Sequence, residues 1–274
     1  MLSRPHLPYP TKQIVLCLAL FALQPRSLCG QAPSTVEDLA RRATLIFLGT
    51  VEKTGASTMP AVKANAATAV VRVDQVISPG APPGLAGKSI TVQLLDAGSA
   101  KAGSQEVFFT KGWLLGESMA VIEVGQLGRD TNIQGLTEQI NNVHQKVADE
   151  ALRNQLATAE AVISGKVTAV RRAEIPRLVT EHDPDWYIAV IQVESVIRGQ
   201  MPGREVALLF PYSDDVIWHD SPKFKEGQQG IWLLHRNQAR LAGIENQLTA
   251  LRSLDFRSRE ELGRVERLVK AEQQ

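Results

Sequence analysis

The chain repeats itself. "LIFLGTV" at 45–51 returns as "AVISGKV" at 161–167, and "TAVVRVDQVI" at 68–77 returns as "IAVIQVESVI" at 188–197. "GKSITVQL" (87–94) matches "GREVALLF" (203–210), and "GSQEVFFT" (103–110) matches "GQQGIWLL" (227–234). The four blocks keep their order, with offsets of 116, 120, 116 and 124. One apolar strand recurs easily by chance; four collinear blocks with small indels between them mark a duplicated unit. A length of 274 residues has room for two domains of ordinary size.

Each block reads as a strand. Ala69, Val71 and Val73 alternate with Val70, Arg72 and Asp74, and Ala189, Ile191 and Val193 alternate with Val190, Gln192 and Glu194. One face is apolar and the other turns polar, as in a half-buried strand. The phase slips after Val73, and at the matching place between Val193 and Val196, which predicts a bulge in both copies. Pro/Gly-rich turns follow, "SPGAPPGLAGK" and "RGQMPGR". A fifth strand is clear at 118–124 and faint near 239–244.

The first block carries a glycine in its middle, Gly49 or Gly165, where glycine ordinarily weakens a strand. Alternation puts Gly49 on the face of Leu45, Phe47 and Val51, and Gly165 on that of Ala161, Ile163 and Val167. A missing side chain there lets a long first strand coil and pair along both edges of a closing barrel. Helices separate the strands. Ser34 and Glu37 have capping-box spacing ahead of a helix over 34–43. Leu136, Ile140, Val143, Val147 and Ala151 set a helical stripe over 135–157. Ser258 and Glu261 repeat the box spacing ahead of Leu262, Val265, Leu268 and Val269.

The expected fold is therefore mainly β with flanking helices: two tandem five-stranded OB-like barrels joined by an α-helix. The boundaries are 34–127 for the first barrel and its helix, 135–157 for the linking helix, 158–256 for the second barrel and 258–274 for a closing helix.

Residues 1–30 read as a signal peptide. Arg4 and Lys12 precede a ten-residue apolar run, Ile14–Leu23, too short to cross a bilayer. "RSLCGQA" follows, and a mature start near Gln31 is expected. Cys29 as a lipid-attachment residue is the alternative. Cleavage removes both cysteines, Cys17 and Cys29, and leaves 27 basic and 29 acidic residues, net −2. The mature chain then has no disulfide, no thiolate chemistry, no basic footprint for nucleic acid and no transmembrane span. The expected location is outside the cytoplasm: periplasmic, envelope-associated or secreted.

The pattern resembles the netrin-like domains, also known from tissue inhibitors of metalloproteinases. In that family a helix leads into an Ala-x-x-x-hydrophobic-x-Gly-x-Val strand. Here the motif falls on Ala43, Phe47, Gly49 and Val51, and again on Ala159, Ile163, Gly165 and Val167. A "V-x-V-x-x-V-hydrophobic" strand, a strand after Gly-Lys/Arg, and Gly227…Ile231-Trp232-Leu233 continue it over most of 43–124 and 159–244. The resemblance implies an OB-type barrel and a protein-binding habit. Inhibitors of that family chelate a protease metal through a cysteine that begins the mature chain. None begins the first barrel here, so inhibition is not carried over.

Catalytic signatures are sparse. There is no G-x-S-x-G, H-E-x-x-H, P-loop or dinucleotide glycine motif. His144 in the linking helix reads as solvated and His235 as a surface cap at a strand end. One constellation remains. "EHDPDW" (181–186) supplies His182, Asp183 and Asp185, and "YSDDVIWHDS" (212–221) supplies Asp214, Asp215, His219 and Asp220. Carboxylates with imidazole are suitable ligands for a divalent cation, no other cofactor being indicated. Acidic loop residues equally serve as turn formers. Trp186, Trp218 and Tyr212 at the loop edges are candidates for ligand contact, whereas Phe210 shares a face with Val206 and Leu208 and belongs to the core.

Two functional classes follow. The first is a non-enzymatic exported binding or scaffold protein that holds a protein or an envelope glycan through barrel loops. The alternative is a metal-dependent secreted hydrolase using His182, Asp214, Asp215 and His219.

Overall fold

The computed structural model describes residues 34–116, 118–128, 130–175, 182–201, 203–236 and 247–272. The expected signal peptide, both cysteines and the fifth strand expected near 239–244 fall outside the described residues. Strands β1 (Leu45–Thr54), β2 (Thr68–Val76), β3 (Ser89–Gln93), β4 (Gln105–Leu115) and β5 (Met119–Leu127) close into a barrel in the order β1-β2-β3-β5-β4. The β3–β5 pair is parallel and the others antiparallel. Helix α1 (Val36–Arg42) precedes this barrel and α2 (Ile133–Thr158) follows it.

Strands β6 (Ala161–Arg172), β7 (Asp185–Arg198), β8 (Glu205–Tyr212), β9 (Gln229–Arg236) and β10 (Leu248–Thr249) retrace the same circuit. β10 pairs in parallel with β8 and antiparallel with β9, which closes the second OB-like barrel. β11 (Phe256–Ser258) and α3 (Leu262–Ala271) end it. Equivalent residues make equivalent bonds. Thr44 donates its amide to the Thr110 carbonyl and Glu160 to that of Leu234; Val73 donates to Lys88 and Val193 to Arg204. Gly103 and Gly227 open the same turn, both with positive φ (84° and 82°).

The glycine and the phase slip prove to be one feature. In β1–β2, Leu48 pairs with Gln75 but Gly49 with Val73, so Asp74 is the extra, bulged residue. In β6–β7, Ser164 pairs with Ser195 and Gly165 with Val193, so Glu194 bulges. Each bulge lies directly opposite the glycine, and the same glycine pairs on its other edge with Glu106 or Gly230. A Cβ on Gly49 would stand 2.6 Å from Val71 Cγ1 and 2.9 Å from the Arg72 carbonyl; one on Gly165 would collide with the Gln192 carbonyl. The bulged acids are held. Burial works against the Asp74 carboxylate, but hydrogen bonds from Thr50 (2.6 Å), Gln105 (2.9 Å) and Arg72 (3.0 Å) outweigh it and keep the group below its ordinary range. Glu194 pairs with Arg259 at 2.9 Å.

Barrel interiors swap volumes between copies. Phe47 pairs with Phe108 in the first, their rings stacked at 5.4 Å, and Ile163 pairs with Trp232 in the second. All four side chains are fully buried. Phe210 is also core, with Val206 and Leu208, as alternation predicts.

Helix α2 serves both barrels with different faces. Leu136, Ile140 and Val143 pack with Ile46, Val107 and Phe109 of the first barrel. Leu152 and Leu156 pack with Val162, Ile231 and Leu233 of the second. At 100° per residue these two sets lie roughly 170° apart around the helix. The stripe read from sequence fails in between: Val147 and Ala151 are exposed, because the helix changes faces there. Neighbouring acids at this change tie the other helices. Glu150 accepts both guanidinium arms of Arg41 in α1 (2.9 and 3.1 Å), and Asp149 accepts from Arg264 in α3 (2.7 Å).

Both capping boxes differ from their sequence reading. The N-cap of α1 is Thr35, boxed with Asp38, one residue beyond Ser34 and Glu37. Ser258 makes no side-chain cap bond; Glu261 instead pairs with Arg257 and Arg264. A hydrogen bond from the Ser258 backbone N–H is worth less to Glu261 than two guanidinium partners.

Two expectations follow. Gly165→Ala and Gly49→Ala each destabilise by about 1–3 kcal/mol through forced overpacking, whereas Gly112→Ala, with open space around its Cα, changes little. Denaturant midpoints test this, and equal midpoints for all three contradict it. Glu123 on β5 is buried, and burial lifts its carboxyl above the usual range despite the Leu95 amide donating to it (3.1 Å). The native state therefore binds that proton more tightly than the unfolded chain, and stability falls as pH rises from about 4.5 through the raised value. Glu123→Gln should flatten that part of the Tm–pH curve and raise Tm at neutral pH.

Candidate functional site

The loop entering β7 and the loop leaving β8 depart the sheet at one point, because Asp185 pairs with Tyr212 in the β7–β8 ladder. Register alone thus brings 182–186 beside 212–221. Side chains then lock the loops together. His182 Nδ1 donates to Asp215 Oδ2 at 2.9 Å; a carboxylate only accepts, so Nδ1 carries the proton. Trp218 Nε1 donates to the His182 carbonyl at 2.8 Å. The rings of Trp186 and Trp218 meet edge to face at 5.6 Å, and Trp186 rests on a small apolar cluster with Ile188 and Leu209.

The 213–221 segment is a chain of turns. Ile217 donates its amide to Asp215 Oδ1 (2.8 Å), Trp218 to the Asp215 carbonyl (2.9 Å) and Ser221 to the Trp218 carbonyl (3.1 Å). Lys223 Nζ donates beneath it to the carbonyls of Trp218 (2.7 Å) and Ser221 (2.9 Å). Burial draws the Lys223 ammonium below its ordinary pKa, opposed by the charge of Asp214. Asp215 titrates below its usual range, first through the His182 hydrogen bond and then through the Ile217 amide.

Not every sequence candidate enters this arrangement. Asp185 pairs with Arg172 at 2.5 Å. Asp183 lines a cavity of about 30 Å³ with Arg172 and Trp186, the space of a single water. Asp214, His219 and Asp220 are exposed. Among the described residues, no three His, Cys, Asp or Glu side chains are placed to hold a metal ion together. Tyr212 is 56% exposed and stacks beside Tyr187 at 5.2 Å.

Sequence reasoning passed over two residues at the tip. Val216 is 85% exposed and Ile217 56% exposed. Their signal was two β-branched aliphatics between acids in "DDVIWHD", a segment too short and too turn-rich for a strand. It also missed His235, which is half-buried against Asp255 (3.1 Å) rather than a surface cap. His144 in α2 is likewise half-buried. Comparison with protein-family models finds no match, and a search of curated proteins finds none.

Asp215→Ala should loosen the loop without unfolding the barrel. Hydrogen exchange at the Ile217 amide and proteolysis within 213–221 should accelerate while Tm changes little. The sign with pH follows from the lowered Asp215 pKa: the anchor holds above the ordinary carboxylate range and is lost only as pH falls below it. Unchanged exchange at Ile217 would refute the anchoring role.

Proposed function

We propose that this is an exported, non-enzymatic binding protein whose second barrel engages a protein partner through the 212–218 loop. The carrying observation is the exposure of Val216 and Ile217 on a turn already fixed by Asp215 and Lys223. Exposed aliphatic side chains on an ordered turn favour an apolar protein pocket, since little conformational entropy is lost on docking. A glycan reading fits less well. Sugar platforms use open aromatic faces, and the edge-to-face pairing of Trp186 and Trp218 covers one of the two.

The hydrolase reading draws less support still: His182 is committed to Asp215, and no third ligand joins them among the described residues. The netrin-like resemblance, which rests on the strand pattern, agrees with a protein-binding habit by analogy. No helix among the described residues is long and apolar enough to cross a membrane. Export rests on the leader segment and predicts an exported form that begins near Gln31 by intact mass.

A photo-crosslinking side chain at Val216 in the full chain should trap one protein from the exported fraction. Val216→Asp with Ile217→Asp should weaken that complex by roughly thirtyfold, the scale of a single interface hot spot, at unchanged Tm. Equal crosslinking from an exposed control site such as Val196 would sink the proposal, and retention on a glycan array abolished by Trp218→Ala would replace it with the carbohydrate reading.

A further inference from the structure

The two barrels differ most at the fifth strand. In the first barrel, Lys111 pairs with Ile122 and Phe108 with Gln126, four residues apart along β5. In the second, the equivalent His235 pairs with Thr249 and Trp232 with Phe256, seven residues apart. Three extra residues thus split one strand into β10 and β11, and the excursion between them carries Arg252 and Asp255. It faces the end of α2 across a cavity of about 430 Å³, lined by Gln155, Glu160, His235, Arg236, Arg252 and Asp255. That volume lies in the range of small-molecule sites.

The polar groups here are organised around Asp255, which is 1% exposed. The Leu251 and Arg252 amides donate to its Oδ2 at 2.7 and 2.8 Å. Gln155 Nε2 and His235 Nε2 both point to Oδ1, the latter at 3.1 Å. His235 Nε2 also lies 3.0 Å from Gln155 Nε2, so the ring is held between the amide and the carboxylate. Arg252 gives one N–H to Gln155 Oε1 at 3.0 Å. Among the described residues its other four donors have no acceptor. Arg236, by contrast, holds Glu160 with two nitrogens.

From this geometry we infer that the cavity is a binding site for a carboxylate group, held by the Arg252 fork and assisted by His235. The charge count selects the ligand. Among the described residues, Arg236 and Arg252 balance Glu160 and Asp255, so the lining has no net charge, and repulsion from the two fixed carboxylates is greater for a phosphate dianion than for a monoanion. A planar carboxylate matches the guanidinium fork. The site is independent of the 212–218 loop, sharing no residue with it.

The test is a titration of the full chain followed by the His235 ring resonances. Acetate should shift them saturably. Arg252→Gln should weaken binding roughly ten- to a hundredfold, the scale of a lost charge-assisted bidentate bond. Arg252→Lys, which keeps the charge but not the fork, should fall between. Arg252 is exposed, so matching Tm values verify the fold. A short peptide that binds more tightly than its C-terminal amide places the carboxylate on a chain terminus; acetate binding as tightly as the peptide places it on a free small acid. No saturable shift, indifference to Arg252→Gln, or preference for inorganic phosphate would overturn the assignment.

Discussion

Closure of each barrel depends on one crossing, where the first strand must hydrogen-bond along both edges while its neighbour bulges towards it. Glycine at 49 and 165 is the only residue type that fits, because a Cβ would meet the Val71 side chain or the Gln192 carbonyl. The bulge residue opposite, Asp74 or Glu194, then needs a partner. Thr50 and Gln105 supply it in the first barrel and Arg259 in the second. Coiling of the first strand, register of the second and the acid on the bulge are thus one local solution used twice.

Joining the barrels required a helix with two apolar faces rather than one. The leucines at 136 and 156 lie on opposite sides of α2 and bury in different barrels. The exposed middle, around Val147, is bordered by Asp149 and Glu150, whose guanidinium partners come from α3 and α1. Single exposed ion pairs contribute little. Two of them from adjacent residues nonetheless fix which sides of α2 the short helices occupy.

Both proposed sites belong to the second copy, and both lie where the repeat is broken. The long 213–221 turn between β8 and β9 presents Val216 and Ile217. The three-residue excursion in the fifth strand presents Arg252 opposite His235. The first barrel has Lys111 in place of His235 and an unbroken β5. The first copy is the plainer scaffold, and the segments by which the second differs from it carry the proposed sites, in keeping with loops as the carriers of function on a rigid frame.

Much of the fold was legible in residues alone: the duplication, the strands of the four blocks, the inward glycines, the bulges and the three helices all follow from spacing and alternation. These are local properties, set by side-chain period and by backbone sterics within a few residues. The split fifth strand was not legible, because an insertion erased its match to β5. Nor was the change of face along α2, which is only defined once two separate cores press on it. The loop pair was suspected from composition, yet only the β7–β8 register showed that His182 reaches Asp215 while Asp185 turns to Arg172. Gln155, His235 and Asp255 are spread over 100 residues, and no periodicity links them. Local sequence determined the strands and their closure, and tertiary packing decided which polar side chains meet, because long-range proximity depends on insertions and register that no short window contains.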